Sequence, residues 1–445
     1  MPLSIAPSLR ALRLRLDKNA FYKSVAYVAG GTALVQTITI LTTPVVTRLY
    51  TPEDFGALGM FMAVLGVLQP VATLTYFMAI PLADDTDQAH DLVRLCFFIT
   101  GLMTLLLTVV VFFAGERFAA QFSVPEAAPY LWLLPLCLLG SGIYEALSGW
   151  ALRKKFFKII ARTKLSQGIS SVAVKIGLGF LGFQPLGLFL GLLASSIAGC
   201  GSIMRKLMQE EPLFFRQYTW KGVRVAARRF SRFPLYRSWS KLLLGLNTRL
   251  PVFFIAASFG PEVVGFFTFA YSMISLPMNL VGTALSQVYY AEIAGYGKTQ
   301  PDKIRSLSIS LMIRMAVVGI LPTALLMFAG PWMFSLVFGE QWHDAGVFAQ
   351  FLAFITWGQF VAAPVMSCFD VFELQAVQLG VNLLRLALTV GVFTATQFLG
   401  FTPLLTIVAY SAVIGLYLLF MIGLVILLLN QQTARNKTRP DTDCT

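Results

Sequence analysis

The chain has 445 residues, 57% hydrophobic and 12% charged, whereas a soluble domain carries about 25% charged residues; its mean hydropathy is +0.74. Water cannot be its main solvent, which excludes a soluble enzyme or binding domain as the bulk of the protein. The net charge of +13 reads as an excess of Lys and Arg in cytoplasmic loops, not as affinity for nucleic acid.

A spanning helix needs about 20 mostly apolar residues. A basic start at 1–21 (Arg10, Arg13, Arg15, Lys18) leads into an apolar run too long for a signal h-region, read as a retained first helix. Spans are predicted at 22–47, 56–82, 92–114, 129–150, 163–181 and 184–203, which form an N-lobe over 22–203. A basic linker at 204–234 precedes six more, at 235–258, 262–291, 305–329, 344–369, 375–398 and 403–429, forming a C-lobe over 235–429, with a tail at 430–445. The fold class expected is an all-α polytopic membrane protein of about 12 transmembrane helices in two six-helix lobes. The stretch from Gly330 to Ala345, with Trp332, Trp342, His343 and Asp344, is the longest loop on the outer side, expected as an interfacial re-entry or gate.

Alternate loops of such a chain share a side. Those at 152–164 and 204–237 are rich in Arg and Lys, whereas the opposite set holds only Arg48 and Arg117. Both termini are therefore expected in the cytoplasm. The sequence also repeats: TPEDFG from Thr51 to Gly56, between Pro44 and Pro70, is echoed by GPEVVG from Gly260 to Gly265, between Pro251 and Pro277. Six spans separate the copies, so the halves share an orientation about an axis along the membrane normal.

Polar residues recur on single faces of the repeat-related helices: Thr32, Gln36, Thr39 and Thr43 on the first, Gln69, Thr73 and Tyr76 on the second, Lys241 and Thr248 on the seventh, Tyr271 and Asn279 on the eighth. Two readings stand. Hydroxyls bond their own backbone and Gly permits close packing in most membrane helices; alternatively the stripes line a cleft, near which Pro44, Pro70, Pro251 and Pro277 act as kinks.

Charges within spans cost about 2.5–3.5 kcal/mol on insertion scales, and here they are nearly all cationic: Lys175, Lys241, Arg249, Arg314 and Arg385. Lys241 and Arg314 are near enough to helix ends to snorkel. A lumen with spare positive charge suits an anionic passenger, and guanidinium suits phosphate. Glu145 is the acid clearly inside a span, and a neighbouring cation is its simplest partner. The cysteines show no close pairing and there are two histidines, so neither a disulfide framework, a metal site nor a cofactor is expected, and the coupling ion is left open.

TRLYTPEDFG (Thr47 to Gly56), FPLYRSWSKLLLGLNTRLPV (Phe233 to Val252), LPMNLVGTALSQVYY (Leu276 to Tyr290) and FGEQWHDAG (Phe338 to Gly346), with the GPEVVG turn, resemble the oligosaccharide flippases of the O-antigen and polysaccharide exporter type. These belong to the superfamily of the multidrug and toxin extruders (MATE). The resemblance implies a bacterial inner-membrane protein with two pseudo-symmetric MATE-like lobes, turning a polyprenyl-diphosphate-linked sugar repeat unit between leaflets. It implies membrane lipid and the lipid-linked oligosaccharide as partners, and makes a polysaccharide polymerase and a chain-length regulator candidate partners. Where such proteins commonly carry Arg-Tyr-Glu after the second helix, this chain has Thr75, Tyr76 and Phe77, so only the Tyr is kept. On this reading Arg249 and at least one of Lys175 and Arg385 neutralise the anionic cargo, while Tyr76 and Tyr271 stack on sugar. A MATE-type ion-coupled drug antiporter would normally use intramembrane carboxylates, and a membrane polymerase or ligase would need a long outer loop; the sequence is poor in both.

Overall fold

In the computed structural model the chain is helical, with no β-strand among the described residues, which are 30–121, 125–212, 214, 219–297 and 300–437. The basic start at 1–21, the end of the tail and the side chain of Asn279 lie outside them. The helices are α1 (residues 30–49), α2 (Pro52–Ala72), α3 (Thr86–Gln121), α4 (Leu133–Arg153), α5 (Phe157–Phe180), α6 (Leu186–Ile197), α7 (Cys200–Glu210) and α8 (Trp220–Arg229). They continue as α9 (Trp239–Phe259), α10 (Pro261–Tyr296), α11 (Pro301–Phe338), α12 (His343–Val365), α13 (Cys368–Val371), α14 (Gln375–Phe398) and α15 (Pro403–Lys437).

Among the described residues nine helical stretches are long and apolar enough to cross a membrane, and α10 makes ten when its two arms count as one span. Those arms, Pro261–Met278 and Leu280–Tyr296, meet at 42° beside Pro277, whose missing N–H interrupts the ladder. Exposed Leu105, Val110 and Phe113 on α3, and Leu321 and Phe328 on α11, would each be penalised by water at about 25 cal/mol per Å². Lipid accommodates them. The protein is a multi-pass membrane protein.

Several boundaries differ from the sequence expectation. The span expected at 56–82 ends at Ala72; Leu74 and Thr75 take positive φ (46° and 57°) and a 3₁₀ segment follows over Tyr76–Leu82. Thr75, in a region disfavoured for side-chain-bearing residues, is held there by its hydroxyl against Ser238 Oγ (3.1 Å) and the Phe233 carbonyl (3.2 Å). The stretch at 184–203 breaks at Gly199 (φ 88°) into α6 and α7, and much of the linker is helical as α7 and α8.

The outer loop expected over Gly330–Ala345 is a correction. Helix α11 continues through Pro331 to Phe338, and Trp342 is fully buried. Pro331 deprives the Met327 carbonyl of its helical N–H, but Gln350 Nε2 donates to that carbonyl at 2.7 Å, and Gly330 and Gly346 let the two backbones touch.

The chain forms two compact units: Met1–Leu49, Val64–Glu116 and Ala128–Leu243 in one, Tyr50–Ala63, Arg117–Ala127 and Leu244–Thr445 in the other. In the first, the 3₁₀ segment is buried with α3 and α4 through Tyr76, Ile80, Leu92, Cys96, Leu147 and Trp150. Helix α8 is tied on by the Arg229–Asp84 ion pair and by Tyr76, whose hydroxyl donates to the Ala227 carbonyl at 3.0 Å.

The second unit has an aromatic centre in which Trp342 meets Phe269 (4.2 Å between centroids) and Phe55 (4.9 Å). Here the two repeated Pro-Glu-x-x-Gly turns lie against each other, Gly56 on Pro261 and Gly265 on Pro52. Tyr50, buried beside Asp54, has its phenol pushed up to about 12, chiefly by burial.

Candidate functional site

Each unit carries a cleft with polar side chains on a largely apolar wall. In the first, a cavity of about 310 Å³ is lined by Thr32, Gln36 and Thr39 of α1, by Lys164, Gln167, Ser171 and Lys175 of α5, and by Ser195. The α1 residues are one of the stripes. Lys175 reaches the cleft because Gly191 of α6 leaves room for its alkyl stem; a long apolar stem with a charged tip suits a residue that must cross an apolar wall. Thr39 also bonds its own helix, donating to the Val35 carbonyl at 2.9 Å.

In the second unit a cavity of about 290 Å³ is lined by Thr248, Tyr271, Ser275, Thr283 and Ser286, by Thr356, Gln359 and Phe360 of α12, and by Arg385 of α14. Tyr271 donates to Gln359 Oε1 at 3.1 Å, which fixes the ring on the wall. Arg385 acts electrostatically on Tyr410 and Tyr417. Among the described residues no carboxylate lines either cleft. The hydroxyls, amides and cations set in these walls are donors suited to an oxygen-rich, negatively charged solute.

The other expected residues are placed differently. Arg249 is half-buried on α9 within electrostatic reach of Tyr271, but is not among the lining residues. Lys241 Nζ lies over the Phe77 ring at 5.3 Å, a cation–π contact. Arg314 is exposed on α11 and lines neither cleft. Thr43 is buried and donates to the Thr39 carbonyl at 2.6 Å, the packing alternative realised.

Tyr76 is a correction: at 6% exposure, with its hydroxyl on Ala227, it is a core residue and presents no face to a sugar. Gln69 and Thr73 turn to Glu145 instead, donating from Nε2 at 3.1 Å and from Oγ1 at 3.4 Å. No cation pairs directly with Glu145 among the described residues, so the ion pair expected for it is replaced by these two hydrogen bonds; Lys241 and Lys164 act on it from further off. Pro44 and Pro251 lie within helices without a break, and Pro70 stands just before the end of α2.

The α5 wall was legible but unread: Lys164, Gln167, Ser171 and Lys175 are spaced by three, four and four, one helical face. Gln359 gave less signal, since it and Thr356 alone are polar in the apolar run TWGQFVAAP.

The sequence profile of the family described as "Polysaccharide biosynthesis protein" matches residues 45–346. The chain belongs to that family. It is 25% identical over 336 residues to the succinoglycan biosynthesis transport protein ExoT of Rhizobium meliloti (strain 1021), a match covering 73% of this chain and 64% of that relative. This member of the polysaccharide biosynthesis family thus spans under two thirds of the length of the curated relative it matches. Its fold is similar to that of a multidrug resistance MATE family transporter of the MOP superfamily, a structure solved in an inward-facing conformation (TM-score 0.62, 17% identity, 93% of this chain and 100% of that one). It is equally similar to the lipid II flippase MurJ in an inward closed conformation (TM-score 0.64, 12% identity, 94% and 93%).

Proposed function

We propose that the protein is a flippase for a polyprenyl-diphosphate-linked sugar repeat unit, moving it across the bacterial inner membrane by alternating access for O-antigen, capsule or exopolysaccharide synthesis. The observation that carries this reading is the pair of clefts, each lined by hydroxyl and amide groups with cations, Lys164 and Lys175 in one and Arg385 in the other, and by no acid among the described residues. Sugar hydroxyls and diphosphate oxygens need such donors, while a polyprenyl tail can stay in lipid, so a wet route serves the head group alone. Family membership and a relative named as a succinoglycan transport protein support it. A MATE-type drug antiporter shares the fold, but cationic drugs are normally held by intramembrane carboxylates.

The reading includes twelve spans. Nine helical stretches and the bent α10 give ten, and α1 and α5 complete the set; α5 carries Lys158, Arg162, Lys164 and Lys175, which lower its apolarity. Both termini are assigned to the cytoplasm on the loop charges, in two parallel six-helix lobes. Polysaccharide export in a strain lacking the native gene tests the function: the wild-type chain restores it and Arg385→Ala with Lys175→Ala does not. Full export by the double variant, or drug resistance without export, would refute the reading.

A further inference from the structure

Helix α8 presents a basic face that pairs with no acid among the described residues. Lys221, Arg224 and Arg228, spaced by three and four, are exposed on one side, with no ion pair among the described residues, while Val223 and Ala226 are buried on the other. Two acids lie nearby: Asp84 pairs with Arg229 at the end of the same helix, and Asp91 pairs with Arg94 at 2.9 Å through Oδ1 while its Oδ2 lies against Gly222; neither pairs with Lys221, Arg224 or Arg228 among the described residues. Trp220, 58% exposed, flanks this face and meets Phe98 edge-on at 5.2 Å. Phe98 is itself 51% exposed on α3, a span whose outward residues Leu102 and Leu105 are apolar. The start of α8 is thereby set beside the lipid-facing flank of a spanning helix. Just beyond, Tyr236 and Trp239 are also exposed.

We propose that α8 lies in the membrane interface and binds the head groups of anionic phospholipids through Lys221, Arg224 and Arg228, with Trp220 seated at the head-group level. A helix with an inward apolar side, an outward cationic side and aromatic residues at its margin has the composition of interfacial helices. Anionic leaflets attract such cations. A soluble acidic protein would meet the charge but leaves the exposed Trp220 against lipid-facing Phe98 without purpose. Tyr76 and Arg229 anchor the helix to the core, so bound lipid would hold the segment between α7 and α9 in place. This rests on the chain being a multi-pass membrane protein and is independent of the cargo.

The full-length protein in nanodiscs of phosphatidylcholine, with a fixed fraction of brominated phosphatidylglycerol or of brominated phosphatidylcholine, tests the proposal. Quenching of Trp220 is isolated as the difference from W220F. The expected result is stronger quenching by brominated phosphatidylglycerol, an excess lost in high salt and in K221Q/R224Q/R228Q and kept in R224K/R228K. Each cation removed is expected to lower the preference about fivefold. Equal quenching by the two lipids, or a preference undiminished in the glutamine variant, would overturn it. Absence of quenching by either lipid would also overturn it, leaving a soluble partner as the occupant. The substituted side chains are exposed, and unchanged gel-filtration behaviour checks that the variants fold.

Discussion

Gly56 lies with its Cα directly against the Pro261 carbonyl, and a β-carbon placed there would collide with the proline backbone; Gly265 stands in the same relation to Pro52. The two turns that repeat in sequence are therefore reciprocal partners in space. Backbone cannot yield as a flexible side-chain tip can, so Gly56→Ala or Gly265→Ala is expected to cost about 1–3 kcal/mol as overpacking. Thermal unfolding of the purified variants checks this. Gly380→Ala, where the added carbon meets nothing, is expected to unfold like the wild type.

Glu145 holds Gln69 and Thr73 through its two oxygens. Glu145→Ala leaves both donors without their acceptor, an expected loss of about 1–3 kcal/mol, whereas Glu145→Gln keeps one carbonyl oxygen and is expected to lose less. The comparison is read as unfolding midpoints in detergent. Equal midpoints for the alanine variant and the wild type would show that these bonds contribute nothing.

Two tyrosines expected in one role part company. Tyr76→Phe removes the bond to Ala227 and is expected to lower stability by about 1 kcal/mol with export unchanged once the protein is folded. Tyr271→Phe frees Gln359 on the wall of the second cleft and is expected to lower export with little change in stability. Export assays normalised to membrane protein content, beside melting curves, separate the two effects.

The cleft cations are expected to differ in what can replace them. Arg385→Lys keeps charge but loses the planar fork that pairs with phosphate, so partial export is expected; Arg385→Ala is expected to fall further, by about ten- to a hundredfold for one charge-assisted bond of about 1.5–3 kcal/mol. Arg314→Ala, exposed and away from both clefts, is expected to export normally. The measurement is polysaccharide yield from the deletion strain.

How far this was legible depends on the kind of signal. Helix α14, expected at 375–398, occupies Gln375–Phe398, because charge and Gly-Phe-Thr-Pro punctuation bound a mainly apolar run. The α1 stripe pointed to a cleft and Thr32, Gln36 and Thr39 line one, since helical periodicity survives folding unchanged. Where partners distant in sequence decide, the reading failed. Tyr76 is turned into the core by a left-handed Leu74-Thr75 corner held through Ser238. Helix α11 outruns Gly330-Pro331 because Gln350, from the next helix, supplies the missing donor. Neither compensation has a local mark in the sequence.

The most direct measurement is transbilayer movement by the purified protein in proteoliposomes containing a polyprenyl-diphosphate-linked oligosaccharide in both leaflets. Wild-type protein is expected to bring the inner-leaflet lipid within reach of an external sugar-modifying enzyme, and Arg385→Ala to slow that exposure. Movement no faster than in protein-free vesicles, from preparations shown to be folded, would contradict a flippase.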